Sequence, residues 1–158
     1  MIHLARHGQT AFNAEGRFQG HLPVPLDDTG REQARALAEA VAQVEVRGFV
    51  CSPLARARET AAIVIARALP GLEARVMNAL LPECDPVEVL MALAEEGATS
   101  GHVLIVGHQP QLGTLAAGLA PATSPALSPA HLVRVTFGGP PGMGAGTLTL
   151  RLSPSQLP

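Results

Sequence analysis

Short apolar runs alternate along this chain with segments of helical periodicity, and this alternation restricts the fold more than any other feature of the sequence. The run at 102–106 is uninterrupted, as is typical of a strand buried on both faces of a parallel sheet. Strands that alternate with helices favour a sheet covered by helices on both sides. The sequence therefore predicts a three-layer α/β/α sandwich with a mostly parallel sheet. The strands are expected at residues 2–5, 49–51, 73–79 and 102–106.

The helices between these strands are indicated by apolar positions three and four residues apart and by residues that favour helix ends. Asp28 or Thr29 is expected to cap the first helix, and Gly97 to end the third. Ser52 is expected to cap the second helix, with Pro53 at its first position. The four helices are expected over residues 31–44, 53–69, 86–96 and 111–119. The rest of the chain predicts loops at 9–28 and 121–129 and a terminal β-hairpin of 131–137 and 146–152.

Length and composition restrict the class of protein. A chain of 158 residues, 47% of them hydrophobic and 15% charged, fits one globular domain over residues 1–158. The net charge of −2 and the lack of a basic block argue against a nucleic-acid partner. The N-terminal residues do not follow a signal-peptide pattern, and no apolar run reaches the roughly 18 residues of a membrane span. We therefore expect a cytoplasmic protein with no membrane partner.

Three of the predicted strands are followed by side chains of types that commonly bind anions. These residues are Arg6 and His7 after the first strand, Arg56 beyond the second, and His108 after the fourth. Because ligands in open α/β sheets bind beyond the carboxyl ends of the strands, the four side chains are expected to converge. Guanidinium groups offer forked donors to phosphate oxygens, and a neutral imidazole can act as a nucleophile. The sequence therefore predicts a phosphate site and no metal site, since nearby Arg side chains disfavour a bound cation.

The segment Arg6-His7-Gly8-Gln9-Thr10 resembles the signature of the histidine phosphatase superfamily, which includes cofactor-dependent phosphoglycerate mutases. The resemblance continues through residues 13–34, 52–61 and 106–110, in the order of the family's motifs. The small size and late segments are most similar to the short phosphohistidine-phosphatase (SixA) type, whereas residues 6–26 are closer to mutases and small-metabolite phosphatases. The resemblance implies a phosphoglycerate mutase-like fold and phosphoryl transfer without a metal or organic cofactor.

The resemblance also implies a role for each residue of the predicted site. His7 is expected to be the nucleophile that forms a phosphohistidine, with its second ring nitrogen held by a backbone carbonyl. Arg6, Arg56 and His108 are expected to bind the phosphoryl oxygens and to neutralise charge in the transition state. The residues expected to complete substrate binding are Asn13, Gln19, Gly20 and Arg17, with Arg17 either on the substrate or on a solvated part of the loop.

The group that protonates the leaving atom is open at this stage. The superfamily commonly supplies a Glu after the third strand, and Glu83 is the best candidate in this chain. In the short branch, the position of that Glu can instead be matched to Ala79, which would make Glu83 a surface carboxylate. A phosphohistidine substrate would tolerate a missing acid better than an ester, because its nitrogen leaving group can arrive already protonated.

The expected activity is hydrolysis of a phosphorylated substrate through a phosphohistidine on His7. Phosphohistidine on a protein is the preferred substrate, and a small phosphorylated metabolite is the alternative. A mutase-like reaction is less expected, because so short a chain is not expected to cap the site against water. A module that binds a phosphorylated ligand without turnover is a further hypothesis, and such a module has no need of a nucleophilic His7.

Overall fold

The computed structural model describes residues 1–95, 101–121 and 126–156. The strands are β1 (Ile2–Arg6), β2 (Gly48–Cys51), β3 (Ala74–Val76), β4 (Val103–Gly107), β5 (Leu132–Phe137) and β6 (Gly146–Leu152). The helices are α1 (Ala11–Ala14), α2 (Asp28–Val41), α3 (Ala55–Ala68), α4 (Pro86–Glu95) and α5 (Gln111–Leu119). Short 3₁₀ turns cover Asn78–Leu80 and Pro154–Gln156.

The six described strands form one sheet in the order β3-β2-β4-β1-β5-β6. The first four are parallel, β5 is antiparallel to β1, and β6 is antiparallel to β5. Arg6 pairs in register with Gly107, and Cys51 pairs with Val106. The carboxyl ends of β1, β4 and β2 are therefore level, and the residues that follow them meet at one edge of the sheet.

Helices cover both faces of the sheet, because successive residues of the central strands point to opposite sides. Leu4 and Ile105 are buried in one apolar cluster with side chains of α4 and α5. Their neighbours Ala5 and Leu104 are buried in another cluster with side chains of α2 and α3. These two clusters confirm the predicted three-layer sandwich with a mostly parallel sheet.

Several predicted boundaries were wrong, each for a reason visible in the backbone or its hydrogen bonds. The third strand is shorter than residues 73–79, because the chain turns into the 3₁₀ turn after Met77. Helix α3 starts at Ala55 and not at Pro53, because the backbone is still extended at Leu54; the Ser52 hydroxyl caps no helix end and contacts His108. Helix α2 is capped by Asp27, whose Oδ1 accepts from the Gly30 backbone at 2.7 Å, and not by Asp28 or Thr29.

The predicted loop at 9–28 contains one helical turn, α1, that the sequence analysis missed. Thr10 and Asn13 form a reciprocal capping box, in which each side chain accepts a hydrogen bond from the backbone of the other. The predicted helix end at Gly97 lies outside the described residues, as does part of the predicted loop at 121–129. Among the described residues, no helix has both the length and the apolar character needed to cross a bilayer.

Candidate active site

His7 follows β1 directly, and its ring is almost fully buried, with 2% of the residue exposed. Its Nδ1 lies 2.7 Å from the carbonyl oxygen of Gly8, which is the kind of backbone contact expected from the sequence. A carbonyl oxygen can only accept a hydrogen bond, so Nδ1 carries the proton. In the neutral ring, Nε2 therefore carries the lone pair, and His7 borders a pocket at this edge of the sheet.

The loop after β1 packs directly against the first turn of α2. A methyl group on Gly8 would overlap the carbonyl oxygen of Gly30, and one on Gly30 would overlap the backbone of Gln9. The Gly8 backbone also donates to the Thr60 hydroxyl at 3.1 Å, and that hydroxyl donates to the Arg56 carbonyl at 2.8 Å. Glycine at both contact positions thus lets the loop approach α2 closely while α3 anchors it from the other side.

Two guanidinium groups lie beside this loop. Arg56, in the first turn of α3, donates to the carbonyl oxygens of Gly20 at 2.9 Å and Leu22 at 3.3 Å. Arg6 donates to the Leu127 carbonyl at 2.8 Å. Among the described residues, neither guanidinium has a carboxylate partner. Burial lowers the pKa of Arg6, and burial and repulsion by Arg6 lower the pKa of Arg56 to about 10, so both remain cations at neutral pH.

His108 follows β4 and faces His7, with ring centroids 5.2 Å apart. Its Nε2 lies 2.7 Å from the Ser52 hydroxyl, whereas its buried Nδ1 has no hydrogen-bond partner among the described residues. Burial, together with Arg56 and Arg6, lowers the pKa of His108 to about 3. Burial, followed by the charge of His108, brings the pKa of His7 well below its usual range. Both rings are therefore neutral at neutral pH, and when Ser52 donates to Nε2, the Nδ1–H of His108 can donate to an anion.

These side chains meet in a pocket of about 130 Å³ beyond the carboxyl ends of the parallel strands. The lining includes every predicted site residue except Glu83, together with three that the sequence analysis missed, Phe18, Pro82 and Gln109. Each of the three adjoins a predicted residue in the sequence: Phe18 lies between Arg17 and Gln19, Pro82 precedes Glu83, and Gln109 follows His108. Nowhere in the described part of the chain do three or more His, Cys, Asp or Glu side chains meet in an arrangement that could hold a metal ion. The full lining is Arg6, His7, Asn13, Arg17, Phe18, Gln19, Gly20, Arg56, Pro82, His108 and Gln109.

The polar side chains of the long loop are held in place by one another. The Thr10 hydroxyl lies 2.8 Å from Oε1 of Gln19 and 3.0 Å from Oδ1 of Asn13, so its single proton has an acceptor on either side. Arg17 borders the pocket, but its side chain is 57% exposed and pairs with Glu15 at 2.9 Å. The loop therefore presents Asn13 and Gln19 from fixed positions and Arg17 from a solvated one.

Glu83 lies outside the pocket lining, in an adjoining cleft. Both of its carboxylate oxygens are 2.9 Å from Nε2 of His21, and both side chains are more than half exposed. The hydrogen bond from His21 lowers the pKa of the Glu83 carboxyl. The alternative match, Ala79, brings no carboxylate, and its carbonyl accepts from Gln111 at 3.0 Å. The role of Glu83 as the proton donor stays a prediction.

Comparison of the chain with known proteins matches it to one family of enzymes. Residues 2–83, just over half of the chain, match the family model described as the histidine phosphatase superfamily (branch 1). The chain is 46% identical over 67 residues to phosphoglycerate mutase-like protein 4 of Arabidopsis thaliana. The matched region is 42% of this chain and 29% of the relative. The chain is also 50% identical over 58 residues to glucosyl-3-phosphoglycerate phosphatase of Mycolicibacterium vanbaalenii. That matched region is 37% of this chain and 26% of the relative. The chain thus spans less than a third of the length of these curated relatives.

The likeness to a solved structure extends further along the chain. A structure of the protein histidine phosphatase SixA complexed with tungstate superimposes with a TM-score of 0.80 and 29% sequence identity, covering 99% of both chains. The sequence relatives are thus matched over less than half of this chain, whereas the SixA structure is matched over nearly all of it.

Proposed function

The chain belongs to the histidine phosphatase superfamily, and we propose that it is a phosphatase whose reaction passes through a phosphohistidine on His7. One observation carries this proposal. The Gly8 carbonyl holds Nδ1 of His7 and leaves the Nε2 lone pair at a pocket that also contains Arg6 and Arg56, two cations without carboxylate partners among the described residues. A fixed, neutral imidazole beside two such cations suits attack on a phosphoryl group.

The first half of the reaction uses charge that is already in place. A phosphate monoester carries nearly two negative charges at neutral pH, and the Arg6 and Arg56 guanidinium groups supply two positive ones. The Nδ1–H of His108 adds a donor to a phosphoryl oxygen. Because burial lowers the pKa of His7, its Nε2 needs no separate base before it attacks. The bond from Nε2 to phosphorus forms as the bond to the leaving group breaks, and the cations stabilise the charge that spreads over the phosphoryl oxygens.

The second half of the reaction returns the enzyme to its starting state. Water attacks the phosphohistidine, the nitrogen–phosphorus bond breaks, and phosphate leaves the pocket. We propose that no metal takes part, because the two guanidinium groups already provide the charge that a metal would supply and would repel a cation.

We propose phosphohistidine on a protein as the preferred substrate. The likeness to the SixA protein histidine phosphatase over 99% of both chains supports this choice. A small phosphomonoester is the second candidate, and the adjoining cleft of about 360 Å³ favours it because a cleft of that volume can hold a small organic group. The sequence relatives named as a mutase-like protein and a small-molecule phosphatase are compatible with this second candidate.

A paired assay with EDTA present tests the proposal. One arm offers a set of small phosphomonoesters, and the other offers a protein domain phosphorylated on histidine. His7→Ala is expected to abolish release of phosphate in both arms. His102→Ala serves as the control, since His102 precedes β4 at the opposite edge of the sheet. Phosphate release that survives in His7→Ala would overturn the proposal, and a wild-type protein that binds phosphate without turnover would leave the non-catalytic binding module.

A further inference from the structure

A second cleft opens beside the phosphate pocket, with a volume of about 360 Å³. It shares Phe18, Gly20, Pro82 and Gln109 with the pocket, whereas His7 borders the pocket alone. In phosphoryl transfer, the attacking and leaving atoms lie roughly in line on opposite sides of phosphorus. The cleft adjoins the pocket on a side that His7 does not line, so a leaving group that points away from His7 has this cleft beside it. The residues that line the cleft alone are His21, Glu83 and Pro110.

His21 and Glu83 form a carboxylate–imidazole pair on the wall of this cleft. Nε2 of His21 lies 2.9 Å from each carboxylate oxygen, so Nε2–H donates to the carboxylate. Within the described residues, Nδ1 of His21 has no hydrogen-bond partner, and it is the nitrogen that can face a substrate. The hydrogen bond from His21 lowers the pKa of Glu83, so the carboxylate stays ionised and is itself a poor proton donor.

The backbone on both sides of Glu83 is held by contacts with Gln111. The side-chain amide of Gln111, a residue only 2% exposed, lies 3.0 Å from the Ala79 carbonyl oxygen, 2.7 Å from that of Leu81 and 3.0 Å from that of Cys84. These contacts hold the turn on both sides of Glu83. The backbone of Glu83 is therefore held in place, whereas the side chains of Glu83 and His21 both reach solvent.

From this geometry we infer that His21 is the proton donor to the leaving group and that Glu83 is the positioning residue that holds its ring. This inference rests on the proposed function. As Nε2 of His7 bonds to phosphorus, the bond from phosphorus to the leaving oxygen breaks. His21 in its doubly protonated form passes the Nδ1 proton to that oxygen and keeps the Nε2–H that it donates to Glu83. In the second half, neutral Nδ1 takes a proton from the attacking water as the nitrogen–phosphorus bond breaks. The balance is one water consumed and one alcohol and one phosphate released.

A proton donor at the cleft would extend the substrates to esters of ordinary alcohols. Esters of ordinary alcohols have leaving groups that need a proton, whereas acidic phenols depart as anions without one. With a donor at the cleft, the enzyme acts on alkyl phosphomonoesters as well as on phosphoramidates such as phosphohistidine. The general acid expected at Glu83 is then the imidazole of His21, to which Glu83 is hydrogen-bonded.

The test compares two ester substrates, an alkyl phosphate and 4-nitrophenyl phosphate, in wild type, His21→Gln and Glu83→Gln. General acid catalysis is worth roughly 100-fold or more, so His21→Gln is expected to lower kcat/KM for the alkyl phosphate by at least that factor. The loss for 4-nitrophenyl phosphate should stay below about fivefold, because its phenolate leaves unaided. Glu83→Gln should show the same substrate dependence with a smaller loss.

His102→Gln is the matched control, because His102 also lies beside a glutamate, Glu45, but at the opposite edge of the sheet. It should leave both substrates unaffected. Equal losses on the two esters in His21→Gln, or no loss on either, would overturn the inference while leaving a phosphatase that depends on His7. Activity that survives in His7→Ala would instead overturn the proposed function itself, so the two failures are distinguishable.

Discussion

Replacing His3 with leucine should make the protein less sensitive to acid. His3 lies in the middle of β1, opposite Arg134 of β5, and is 1% exposed. Both of its ring nitrogens are buried without a hydrogen-bond partner among the described residues. Burial, with smaller effects from Arg134, His102 and the N-terminal amine, lowers the pKa of His3 to about 4. The folded protein therefore keeps this imidazole neutral at pH values where the unfolded chain would protonate it.

The size of the effect follows from the two pKa values. In the unfolded chain the pKa returns to 6.5, and the difference from about 4 corresponds to about 3 kcal/mol. Below pH 6.5 the unfolded state binds more protons than the folded state, so the free energy of unfolding falls as the pH falls. The contribution of His3 is complete above pH 6.5, has lost about 2 kcal/mol at pH 5, and is fully lost below pH 4.

Urea unfolding at pH 8 and pH 5 measures this difference. Wild type should lose about 2 kcal/mol more than His3→Leu between the two pH values. His7 and His108 remain in the variant, and their lowered pKa values leave it with part of the acid sensitivity. Ile2→Val, on the same strand, carries no titrating group and should cost about 1 kcal/mol at both pH values. If His3→Leu and wild type lose equal free energy on acidification, the buried neutral His3 is not a source of the pH dependence.

Three further substitutions test the construction of the pocket. Gly8→Ala would force its methyl group into the Gly30 carbonyl, so it should lower the free energy of unfolding by about 1–3 kcal/mol and reduce activity. Gly138→Ala is the control: no heavy atom lies within 4 Å of the added methyl, and neither quantity should change. Ser52→Ala removes the partner 2.7 Å from Nε2 of His108 and should lower kcat/KM by about tenfold, while an unchanged kcat/KM would show that this contact does not orient the ring. Arg56→Lys keeps the charge but loses the guanidinium fork, so inorganic phosphate should bind about tenfold more weakly in calorimetry. Arg58→Lys, at an exposed position, should leave phosphate binding unchanged, and equal effects at both positions would contradict the assigned role of Arg56.

The sequence predicted the centre of the site because the chemistry and the strand ends coincide there. Arg6, His7 and His108 directly follow or end buried apolar runs, so placing the strands also placed these side chains. Arg56 and Arg58 belong to the same helix, and two residues apart on a helix they point about 200° apart, so only one of them can face the pocket. The structure has Arg56 buried towards the pocket and Arg58 exposed.

The rim of the site could not be predicted in the same way. Phe18, Pro82 and the pair of His21 with Glu83 are brought together by loops from distant parts of the chain. The position of Glu83 depends on where the chain turns after β3 and on the three carbonyl contacts of Gln111, none of which leaves a periodic signal in sequence. For the same reason the third strand was predicted too long: its apolar residues continue past Val76 into the 3₁₀ turn.

The central claim is that the substrate's phosphoryl group passes to His7, and a single-turnover experiment tests it most directly. The protein is mixed in excess with a phosphorylated substrate in EDTA, quenched in alkali within the first turnover, and digested for mass spectrometry. The account predicts a phosphoryl group on the peptide that contains His7, formed and lost at rates that match turnover, and absent from His7→Ala. Turnover with the phosphoryl group on another residue such as His108, or with no phosphoenzyme at any time point, would contradict it.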